Sequence, residues 1–138
     1  MTGASRNAAI WYAQDGYDPV AKGINGRRVA GESFLRGFLS HADVAEAVIL
    51  SKTEGELGPL RALAARLRPG LPLRHASLLR PAGMAPVETV YYPSPNFASE
   101  AWRRVTHAST AWSLCGITHT TSTAAVMEGW LSLRTAPL

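Results

Sequence analysis

A single cysteine, Cys115, removes two kinds of chemistry at once. One thiol closes no disulfide within the chain and builds no cysteine-based zinc site. It lies in the apolar run WSLCGIT, which predicts a small buried hydrophobe rather than a nucleophile. Long apolar runs are also absent, since none reaches the roughly 18 residues needed to span a bilayer. The N-terminus lacks a charged-then-apolar leader, because the run from Ala8 to Ala13 is too short. The expected location is therefore the cytoplasm. Charged residues are few, at 17%, and no block of five like charges occurs. A nucleic-acid groove wants clustered basic residues interleaved with aromatics, so that partner is not expected. No histidine pair has the metal spacing of H-E-x-x-H, and neither a metal nor a bound cofactor is expected. P-loop, GxGxxG and G-x-S-x-G patterns are missing as well, which excludes their phosphate-cradling and hydrolase signatures.

What is present is a globular composition. The 138 residues are 46% hydrophobic, enough for one domain with a core. The net charge of +4 comes mostly from dispersed arginines: Arg27, Arg28, Arg61, Arg66, Arg68, Arg103 and Arg104. Such scattering suits an anionic small molecule or a peripheral headgroup surface, and equally a plain solvated surface.

Short apolar stretches alternate with helical patterns. Strands are predicted from Ala8 to Tyr12, Glu46 to Leu50, Leu73 to Leu79, Val87 to Tyr92 and Trp112 to Thr118. A helix is predicted from Arg28 to Ser40, where Phe34 and Phe38, and Leu35 and Leu39, lie four apart. A second carries the stripe Leu57, Leu60, Leu63, Ala64 and Leu67, opened by Thr53 and stopped by Pro69-Gly70. A third places Ala98, Ala101, Trp102 and Val105 on one face, and a fourth Ala124, Met127 and Leu131. This order predicts an α/β domain over residues 1–138, with a mostly parallel, Rossmann-like sheet and helices on both faces. The chain stops just after a helix, where an alternating pattern should run into another strand. A truncated domain with an uncovered edge is the expectation.

Three stretches could carry chemistry. The loop KGINGRR brings Gly23, Asn25, Gly26, Arg27 and Arg28 to the mouth of a helix. Glycines let a ligand approach the backbone, and the helix start favours an anion. The alternative is a flexible turn. Gly31 and Gly37 inside the helix suggest close packing against the sheet. His119 in ITHTTST sits at a strand end between Thr118 and Thr120, where it could hydrogen-bond a hydroxyl or phosphate, act in acid–base work, or be structural. In the turn YYPSPN, Asn96 or Ser94 could touch a polar ligand, or Pro93 and Pro95 could make a rigid turn and Asn96 cap the next helix.

Taken in order, GRRVAGESFLRGFL, YYPSPN and CGITHTTST resemble the N-terminal domain of a GT-B glycosyltransferase, closest to the retaining family 4, or group 1. The resemblance runs over nearly the whole chain, with THT its most specific piece. It implies a Rossmann-like half that mainly binds the acceptor, with the donor held in a cleft against a second domain. It implies Gly26 near the donor phosphates and His119 approaching the donor sugar. The family's basic clamp and E-x7-E motif are absent from this chain. The resemblance thus implies a metal-independent transferase part with little activity alone, its nucleotide sugar and acceptor shared with a missing C-terminal domain. The other expectation is a non-catalytic α/β binding or interaction module, open to self-association.

Overall fold

The computed structural model describes residues 7–17, 26–84, 87–108, 111–118 and 123–137. Five strands form one all-parallel sheet: β1 (Ala8–Trp11), β2 (Ala47–Ser51), β3 (Leu73–Ser77), β4 (Thr89–Tyr92) and β5 (Ser113–Gly116). Their order across the sheet is β3-β2-β1-β4-β5. The chain steps outward from β1 to β3, then returns to the other side of β1. That reversal between β1 and β4 is the topological switch point of a Rossmann-like sheet.

Side chains alternate between two cores, as the pleat of a strand requires. Ile10, Ala47 and Ile49 face α2 (Gly26–His41) and α3 (Gly58–Leu67), meeting Leu35, Leu39, Leu60 and Ala64. Ala9, Val48, Leu50, Val90 and Tyr92 face the opposite way, onto Met84, Val87 and Trp112, with Phe97 packed against them. Two-sided burial explains why β2 reads as an unbroken apolar run, with all five residues buried.

A short helix, α1 (Gln14–Tyr17), follows β1 and packs on α2. Gly31 is the contact point: a Cβ there would stand 2.5 Å from the Gly16 carbonyl oxygen. Its close packing is therefore against α1 rather than the sheet. Gly37 is exposed with open space around it, so the packing expected there is not found.

The stripe on α3 is as predicted, with Leu57, Leu60 and Ala64 buried and Leu63 and Leu67 packed at the margin. Thr53 precedes a 3-10 turn (Glu54–Leu57) but makes no capping bond through its side chain. β3 ends at Ser77, two residues short of Leu79, which is 83% exposed.

The C-terminal third departs further from its periodicity. α4 (Ala98–Val105) buries Ala101 and Arg104, while Trp102 and Val105 are exposed. Arg104 is drawn inward by two carbonyls, donating to Trp112 O at 2.7 Å and Pro137 O at 2.9 Å. Its long apolar stem fills the helix's inner face and rotates Trp102 outward. α5 (Ala124–Leu133) buries Val126; Met127 and Leu131, expected inside, are exposed. Cys115 is exposed on β5, an edge strand, rather than buried.

Candidate functional site

Parallel strands leave their carboxyl ends at one rim of the sheet, and a crevice of about 260 Å³ opens there at the switch point. Trp11 ends β1 and Tyr92 ends β4, so the two strands on either side of the reversal supply its floor. Pro93, Ser94 and Asn96 follow from the turn after β4, Ser99 and Glu100 from the first turn of α4, Arg27 from the first turn of α2, and Gly16 from α1.

Several contacts fix the walls. Tyr17 donates its hydroxyl to the Trp11 carbonyl at 2.6 Å, anchoring the end of β1 to α1. Burial pushes the Tyr17 hydroxyl far above its ordinary pKa, with Tyr91 and Tyr12 adding to the rise, so it stays a donor. Tyr92 stacks on Phe97, ring centroids 5.5 Å apart, and burial likewise raises its hydroxyl. Phe34 of α2 stacks on Tyr91 at 3.7 Å, holding the helix over β4. The backbone N–H of Asn96 donates to Ser94 Oγ at 3.1 Å, which tightens the turn. The Asn96 side chain does not cap α4, whose N-cap residue is Phe97. Instead its amide reaches Ala125 O at 3.4 Å, and a Cβ on Gly129 would strike it. The turn after β4 is thereby pinned to α5.

Glu100 is the carboxylate of the crevice. Its side chain is 12% exposed, and Arg103 donates to its Oε1 at 2.7 Å. Burial raises its pKa, and the Arg103 charge and hydrogen bond pull it partly back.

Of the residues singled out in the sequence, Arg27, Ser94 and Asn96 line this crevice. Gly26 starts α2 and is exposed, Arg28 is half-buried on the same helix, and Thr118 is exposed just after β5; none of them lines the crevice. Gly23, Asn25, His119 and Thr120 lie outside the described residues. Sequence reasoning missed Trp11, Ser99 and Glu100. Trp11 is hidden inside an apolar strand pattern, and Glu100 looks like an ordinary first-turn acid on a helix. Their shared signal was position: Trp11 ends β1, and Ser99 and Glu100 open the helix that follows β4, at the rim where an open α/β sheet binds its ligands.

Among the described residues, no group of three or more His, Cys, Asp or Glu is placed to hold a metal ion. Among them, too, no helix is long and apolar enough to cross a membrane. Comparison of the chain with protein-family models, with curated proteins and with solved structures finds no match.

Proposed function

We propose that this chain is the acceptor-side half of a nucleotide-sugar-dependent glycosyltransferase, with the switch-point crevice as part of its substrate cleft. The observation that carries this reading is the crevice itself, at the rim where Rossmann-like sheets bind ligands, with Arg27 and Asn96 in its walls. The resemblance of GRRVAGESFLRGFL, YYPSPN and CGITHTTST to group 1 transferases supplies the reaction class. In this reading His119 approaches the donor sugar and Gly26 its phosphates, with Arg28, Gly23, Asn25, Thr118 and Thr120 near them. The donor is held against a second domain, and no metal takes part. Transfer needs both walls of the cleft, because positioning and charge stabilisation act together.

The test is nucleoside diphosphate release from a panel of nucleotide sugars. It compares the 138-residue chain with the native polypeptide isolated from its source cells. Release by the native polypeptide, little or none from the chain alone, and strong loss on His119→Ala are expected. No release from either protein overturns the reading.

A second reading, a non-catalytic interaction module, is favoured by one observation. Trp102, Val105, Ile117, Met127 and Leu131 are all exposed large apolar residues of the C-terminal third.

A further inference from the structure

Glu100 is a largely buried carboxylate in the wall of the crevice. Its charged form is held in place at a cost, because burial raises its pKa more than Arg103 lowers it. A glutamine would fill the same volume without that cost. Arg103 occupies Oε1, and among the described residues no hydrogen bond reaches Oε2. The crevice is also lined by the neutral hydrogen-bonding side chains of Ser94, Ser99 and Asn96, by Arg27, and by the aromatic residues Trp11 and Tyr92.

We propose that Glu100 is the specificity-determining residue of the crevice, and that its carboxylate accepts hydrogen bonds from adjacent hydroxyls of a neutral, hydroxylated ring. The proposal rests on the transferase reading only in taking the crevice as the substrate site. Size supports one ring, for which a crevice of about 260 Å³ has room. Charge excludes the other small ligands. An anion would meet the Glu100 carboxylate, and a cation would meet the Arg27 guanidinium that lines the same crevice. Hydroxyls donate to a carboxylate without carrying charge themselves, and such charge-assisted bonds are the stronger kind. The apolar face of a hydroxylated ring can then lie on Trp11.

The experiment uses the 138-residue chain and three neutral methyl glycosides (gluco, galacto and manno) as probes, read by ligand-observed NMR. Inorganic phosphate and uridine diphosphate are the comparison ligands. At least one glycoside is expected to bind and to resist displacement by phosphate. Glu100→Gln, which keeps the side chain's shape, should weaken it about tenfold or more, the loss expected for charge-assisted hydrogen bonds. Ser99→Phe, at an exposed lining position, should block binding with the fold intact by circular dichroism. Acidification should weaken binding to the native chain as the Glu100 carboxyl takes up its proton, and leave Glu100→Gln flat. Arg103 on α4 and Tyr92 on β4 lie against Glu100, Arg104 on α4 lies near Tyr92, and Arg27 on α2 lines the same crevice. The carboxyl is the one among them that changes charge in acid. Equal binding by Glu100→Gln, or no glycoside binding, overturns the proposal. Uridine diphosphate binding without any glycoside binding overturns it while leaving the transferase reading standing.

Discussion

At Gly31 an added methyl would meet the Gly16 carbonyl at 2.5 Å and the Tyr17 ring at 3.3 Å. The first is backbone and cannot swing away. Gly31→Ala is therefore expected to destabilise the fold by about 1–3 kcal/mol, the range for overpacking a close contact, as a lowered urea midpoint. Gly37 sits in the same helix with open space around it, so Gly37→Ala should instead stabilise by about 0.5–1 kcal/mol. The pair separates a glycine that packs from one that does not. Glu100 makes a second prediction at this scale. Because its folded pKa is raised, its contribution to stability is fully present below the unfolded carboxyl value and is lost as pH rises through the folded value. Glu100→Gln should therefore be at least as stable as the native chain at neutral pH. That advantage should shrink as pH falls through the folded value toward the unfolded one. Urea midpoints across that acidic range check it, and a large neutral-pH loss would mean the Arg103 pair outweighs the burial.

Among the elements, α4 gives the sharpest contrast between pattern and packing. Its spacing predicts Trp102 and Val105 inside, yet Arg104 takes that place through its bonds to Trp112 O and Pro137 O. Arg104→Ala should cost about 2–3 kcal/mol, since it strips a buried carbonyl of its donor and leaves the stem's space empty. Trp102→Ala should stay within about 0.5 kcal/mol, as exposed substitutions do. Thermal unfolding of the two variants reads the order directly, and the reverse order would restore the face that periodicity suggests. The same helix positions Glu100 and Ser99 in the crevice, so its rotation decides which chemistry the site holds.

Across the whole molecule, the two halves of the sheet are finished differently. β2 is buried on both faces and the edge strand β3 beside it is half-buried, whereas the opposite edge strand, β5, leaves Ser113, Cys115 and Gly116 exposed. β5 carries neither the charge nor the proline that blunts an open edge. In the same third of the chain α5 exposes Met127 and Leu131, and α4 exposes Trp102. The interaction-module reading predicts association that grows with concentration in sedimentation velocity. The double variant Met127→Glu, Leu131→Lys should reduce it. A native chain that stays monomeric throughout removes that reading and leaves the crevice as the functional feature.

The alternation of short apolar strands with helical patterns was enough to determine the parallel α/β class. Strand burial on both faces writes itself as continuous apolar runs such as Ala47 to Leu50, and the apolar stripe of α3 as a helical period. Arg27, Ser94 and Asn96 were legible as candidates because loop and turn chemistry marks the ends of elements. Tertiary structure decided the rest. Strand order is a long-range property, and it alone puts Trp11 beside residues that lie more than eighty positions later in the chain, Ser94 and Glu100. The inward turn of Arg104 depends on carbonyls of Trp112 and Pro137, which no local period encodes. Glu100 became a candidate for the same reason: its burial, and an oxygen that no hydrogen bond reaches among the described residues, are facts of three-dimensional packing, not of sequence spacing.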